Sequence, residues 1–234
     1  MASSSEATLG AKIANAEKIL TNLKSFVGYA PPDDLLSVKS LEEFIKEIKL
    51  KNNATASTIQ IYSEAVDKRQ ILFQKSDTSL IKILPLISAT VRASFGKTSK
   101  EAKTIATMVA KIRGAKAKKI SKDATTNVVS QSEKSYGSMT QNFSDMIATL
   151  EIYAAKYSPI NAEITIEALK EKLALLNETN VGVTATYGKQ KENRDDRSEL
   201  YTTLNAITQR VKDTVKSQYG QSSTEYKLIK GIKV

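Results

Sequence analysis

The sequence predicts an all-α protein of two tandem-repeated helical units, each a shorter helix followed by a long one, packed as an elongated bundle. Three observations predict it. Residues 91–105 return as residues 215–229, an offset of 124 (215 − 91), with Val, Gly, Ser, Glu, Lys and Ile in place and Phe95 exchanged for Tyr219. A fixed internal offset marks a repeated structural unit. Apolar residues step by threes and fours over long stretches, the period that puts them on one face of a helix. Nine Gly and four Pro in 234 residues leave long runs without a breaker.

In order along the chain, residues 7–27 form the first helix, with Ile13, Ala16, Ile19, Leu20, Leu23 and Val27 on its inner face. Gly28 and Pro31-Pro32 end it. The second helix opens at Ser40-Leu41-Glu42-Glu43, read as a capping box in which the Glu reaches back to the Ser. Its ladder runs through Phe44, Ile48, Asn52, Thr55, Ile59, Tyr62, Val66, Arg69 and Phe73, either unbroken or interrupted near Asn52-Asn53. It resumes at Leu80, Ile83, Ile87 and Val91, with Pro85 expected to kink it and Gly96 to end it. A further helix or turn covers residues 99–112. This is unit 1, residues 1–114.

Residues 115–138, rich in Lys, Ser and Thr, read as a linker. Unit 2, residues 139–234, repeats the plan: a helix with Phe143, Met146, Ile147, Leu150, Ile152 and Tyr153, a stop at Tyr157-Ser158-Pro159, then a ladder from Ile166 to Val215. Thr165 matches Ser40 and Tyr187 matches Tyr62 at an offset of 125 (165 − 40; 187 − 62). On that offset Arg69 pairs with Arg194, and one lost residue further on would pair it with Arg197. Two such copies would bury their apolar stripes against each other about a pseudo-twofold axis.

Composition limits the chemistry. There is no His and no Cys, so no Ser-His or Cys-His nucleophile pair and no thiolate or imidazole metal set can form. The chain is expected to be non-enzymatic, without metal or cofactor. The start, Met1-Ala2-Ser3-Ser4-Ser5-Glu6, lacks the basic and apolar regions of a signal peptide. The apolar run 80–93 is too short to span a bilayer, and a cytoplasmic location is expected.

Two sets of residues are candidate sites. Lys111, Arg113, Lys116, Lys118, Lys119 and Lys122 form a basic cluster within a net charge of +10, suited to backbone phosphate but lacking aromatic residues for base stacking. Arg69, Arg194 and Arg197 fall at inward ladder positions. They would form ion pairs with Asp67, Asp195 or Asp196, or be exposed on a wide helix face, or line an anion pocket between the copies. Gly96-Lys97-Thr98-Ser99 is not a phosphate loop, because a helix precedes it and the first glycine of that motif is missing.

The pattern Tyr157-x-Pro159, the Leu-rich residues 166–176, Arg194 and Arg197, and the ending Val215-Lys216-x-x-Tyr219-Gly220-x-x-Ser223-x-x-Tyr226-Lys227 with Gly231-Ile232-Lys233 resembles a group of uncharacterised paired-unit helical proteins of Bacteroidota. The resemblance covers mainly residues 140–234. It implies the paired architecture and a bacterial origin, and no activity. The expected role is structural or assembly, through helix–helix contacts with another copy or another protein. The alternatives are a sequence-nonspecific nucleic-acid (polyanion) binding protein and a membrane-acting bundle.

Overall fold

Short polar side chains start the helices. Ser37, Ser99, Ser135, Thr165 and Ser223 each stand just before a helix and accept a hydrogen bond from the backbone N–H three residues on, at 3.0–3.2 Å. Each such cap contributes about 1 kcal/mol. The computed structural model describes residues 4–114 and 135–234. Its helices are α1 (Ser4–Ser25), α2 (Val38–Gln70), α3 (Leu80–Phe95), α4 (Lys100–Arg113), α5 (Tyr136–Ile152), α6 (Ile166–Tyr219) and α7 (Thr224–Ile229). Among the described residues there is no strand.

Several expectations change at this level. The cap of α2 is Ser37 rather than Ser40, whose own N–H is the donor to Ser37 Oγ. Val27 lies beyond the end of α1 and is 92% exposed, and Ile152 at the end of α5 is 82% exposed. α2 runs through Asn52-Asn53 without a break. The interruption comes instead after a π-helical turn, Ile71–Lys75, where Ser76 leaves the helical conformation. Residues 135–138, assigned to the linker, are the cap and first turn of α5.

The described residues gather into two compact units. The first comprises Met1–Gln60 with Gly188–Val234, the second Ile61–Tyr187. This division cuts across the sequence units 1–114 and 139–234. The first core takes Ile19, Leu23, Leu41 and Ile48 from the first copy and Leu204, Val211, Val215 and Ile229 from the second. The second core takes Phe73, Leu80, Ile87 and Ile105 from the first copy and Phe143, Met146, Leu169 and Leu176 from the second. Each core is thus half of one copy completed by the opposite half of the other.

Buried positions recur at three offsets rather than one. Ala16, Ile19, Leu20 and Leu23 match Phe143, Met146, Ile147 and Leu150 at 127 (143 − 16). Leu36, Leu41, Ile48 and Phe73 match Ile164, Leu169, Leu176 and Tyr201 at 128 (201 − 73). Leu80, Ile87, Val91 and Ile105 match Leu204, Val211, Val215 and Ile229 at 124 (204 − 80). Four residues (128 − 124) are therefore extra between Phe73 and Leu80, which is where the first copy is interrupted and α6 is not. Four residues are about one helical turn, so the ladder returns in phase on the far side. The offset of 125 and the single lost residue are replaced by this pairing, which matches Arg69 to Arg197 (197 − 69 = 128).

Local geometry recurs with the burial. Tyr29 donates its hydroxyl to the Leu36 carbonyl at 2.9 Å, and Tyr157 donates to Ile164 at 2.7 Å. Gly96 and Gly220 both end helices with positive φ, 91° and 95°, which a side chain would strain. Phe26 packs edge-on against Tyr219, and Phe95 packs at a tilt against Tyr153.

Among the described residues one stretch, Val38–Phe95, from α2 through α3, holds an 18-residue window apolar and long enough by composition to cross a membrane. A third of it (33%) is buried among the protein's own side chains. Within it, Pro85 has no N–H to give the Ile81 carbonyl. Arg113 Nη2, at the end of α4, reaches that carbonyl at 3.5 Å.

Candidate functional site

The three predicted arginines do not converge. Arg69 is in the second unit and Arg194 and Arg197 are in the first. The inward register of α6 is Gln190, Asn193, Arg197 and Tyr201, so Arg194 is exposed rather than on the seam. Two of the acids expected as partners pair with lysines: Asp195 with Lys191 at 2.9 Å and Asp196 with Lys51 at 2.6 Å. Arg69 instead lies over the Tyr136 ring, 4.2 Å from its centre, and Tyr136 packs edge-on against the buried Phe73. A guanidinium stacked this way gains roughly 0.5–2 kcal/mol.

Arg194 and Arg197 do share one cavity of about 360 Å³ in the first unit. Leu9, Lys12, Ser198, Tyr201, Thr202 and Asn205 complete its wall. Among the described residues its lining brings three cationic side chains together with hydroxyl groups and the Asn205 amide. The cavity is anchored by Tyr201, which is buried, accepts from Asn52 Nδ2 at 2.9 Å and donates to the Leu9 carbonyl at 3.3 Å. Lys12 and Asn205 were passed over in the sequence. The signal that reveals them is comparison of the copies: Lys12 stands opposite Met139 (139 − 12 = 127) and Asn205 opposite Ile81 (205 − 81 = 124).

Of the basic cluster, Lys111 and Arg113 are exposed at the end of α4. Arg113 is turned to the Ile81 carbonyl. Lys116, Lys118, Lys119 and Lys122 lie outside the described residues. Gly96-Lys97-Thr98-Ser99 is a helix end followed by a helix start, Ser99 capping α4 by accepting from Ala102 N–H at 3.0 Å.

A second cavity in the first unit, about 670 Å³, is a groove between α2 and α6. Phe44, Leu50, Ala54 and Leu200 line it together with the charged Glu47, Lys51, Asp196 and Glu199. Leu50 is 70% exposed there. Among the described residues no three acidic side chains stand close enough to hold a metal ion. Compared with protein-family models, curated proteins and solved structures, the chain matches none.

Proposed function

We propose that this is a non-enzymatic structural or assembly protein that works through helix–helix contacts and associates with a second copy of itself. The observation that carries the reading is the groove between α2 and α6, in which Leu50 is largely open to solvent. Single exposed apolar residues are ordinary. Apolar side chains that line one groove beside charges of both signs, with Leu50 largely exposed among them, are what an amphipathic helix uses to dock. Burying Leu50 alone on docking is worth about 1.5–2 kcal/mol. The chain lacks the two residue types, His and Cys, that most often carry acid–base and nucleophilic chemistry at neutral pH.

Light scattering after size exclusion, across a concentration series, tests this. The expected outcome is a mass that rises with concentration for the natural chain and stays monomeric for Leu50→Glu. A monomer at every concentration for the natural chain removes the self-association reading. Salt-reversible retention on duplex DNA in that case would favour polyanion binding, for which the exposed Lys111 is the described residue that speaks.

A further inference from the structure

The groove between α2 and α6 is acidic, in a chain whose net charge is +10. Lys51, the one cation of its described lining, pairs with Asp196 at 2.6 Å. Glu47 and Glu199 are exposed and have no ion pair among the described residues. A second copy docking groove to groove, as a twofold contact would, sets these carboxylates against their own kind. The face that fits is a different one: apolar along its middle, basic beside it and free of acids.

α3 presents such a face. Its inner side, with Leu80, Ile83, Leu84, Ile87 and Val91, is buried. Its outer side steps through Lys82, Leu86, Ala89 and Ala93 at intervals of four, three and four, with Arg92 alongside, and all five are exposed. Leu86 is 41% exposed. The helix holds two basic residues and no acidic one. Neither the Lys82 nor the Arg92 side chain has an ion-pair or hydrogen-bond partner among the described residues. Other exposed apolar side chains have an acid one helical turn away: Ile61 has Glu64, Val181 has Glu178 and Leu228 has Glu225.

We infer that the outer face of α3 in one copy docks into the α2–α6 groove of another, Leu86 meeting Leu50 while Lys82 and Arg92 meet Glu47 and Glu199. Leu86, Ala89 and Ala93 stand at i, i+3 and i+7, the spacing with which a helix fills a groove. The two alanines let the helix backbone approach closely. The contact rests on the self-association proposed for this groove, and adds which face of the second copy fills it.

Two variants and their mixture test it by light scattering after size exclusion. Leu50→Glu blocks the groove and keeps the face; Leu86→Glu blocks the face and keeps the groove. Each alone is expected to stay monomeric where the natural chain associates. Mixed in equal amounts, they are expected to form a species of two copies and no more, because one intact groove then meets one intact face. That species also shows that both variants fold. Lys82→Glu with Arg92→Glu, at exposed positions, blocks the face a second way. It is expected to weaken association by roughly tenfold or more, and Glu47→Lys with Glu199→Lys in the same chain to restore it. Association that Leu50→Glu abolishes but Leu86→Glu and the Lys82/Arg92 pair leave untouched overturns this contact and leaves self-association standing. A mixture that stays monomeric overturns it likewise. A natural chain that is monomeric at every concentration removes both.

Discussion

The first unit has a continuous long helix and a polar, open corner; the second has an interrupted helix and a corner closed by aromatic stacking. Both use the same ladder of buried positions, so the differences lie in what was inserted and what was exchanged. At the interruption, six residues, Gln74 to Ser79, lie between Phe73 and Leu80, whereas two, Thr202 and Thr203, separate Tyr201 from Leu204. One turn's worth of extra residues can be looped out because it leaves the helical phase unchanged. The lesson is that register, rather than helix continuity, is what each core requires.

The strongest break of this comparison is to separate the copies. Because each core needs halves of both, fragment 1–114 and fragment 115–234 are each expected to lose most of their helical signal in far-UV circular dichroism and to regain it on mixing. A fragment that folds alone with a cooperative melt would contradict the interleaved cores. A smaller effect is expected from deletions at the interruption. Removing Ser76 to Ser79 leaves three positions from Phe73 to the next ladder residue, as from Tyr201 to Leu204, and should change stability by about 1 kcal/mol or less while raising helix content. Removing only Ser76 and Asp77 turns the two flanks about 200° out of phase and should unfold the second unit. Equal outcomes for the two deletions would show that the phase argument is wrong.

The smallest contrast concerns the tyrosine hydroxyls that close the turns before α2 and α6. Tyr157 is 4% exposed and bonds Ile164 at 2.7 Å. Tyr157→Phe leaves that buried carbonyl unpaired and should cost about 1 kcal/mol in chemical denaturation. Tyr29→Phe should cost less, since water can reach its half-buried site. Burial holds both phenols neutral, pushing Tyr157 and Tyr29 from 10.0 up to about 12, with Tyr219 adding to the effect at Tyr29. The folded state keeps the proton more tightly, so their contribution is whole below pH 10 and is lost as the pH rises through about 12. An alkaline melt of Tyr157→Phe should show a shallower fall across that window.

Much of the fold was legible because helix periodicity and capping are local. The buried faces of α1 and α5, the Gly96 and Gly220 ends and the ladder from Leu80 to Val91 could be read from spacing alone. The start of α2 was misplaced by three residues because Ser37 and Ser40 are equally good caps in sequence, and only the Ser40 N–H donating to Ser37 Oγ tells them apart. The site was less legible. Arg197 lay on the ladder, but Lys12 looked like one lysine among many on the outer face of a helix.

The sequence by itself determined that the chain is helical, that its ladders recur and that it has no imidazole or thiol, because these depend on neighbours within a turn or on composition. The tertiary structure alone decided which half of each copy completes which core, that Arg194 and Arg197 meet Lys12 while Arg69 meets Tyr136, and that Leu50 faces an open groove. Those facts depend on contacts between residues more than sixty positions apart (136 − 69 = 67 for Arg69 and Tyr136), where a ladder states which face is apolar but not which partner covers it.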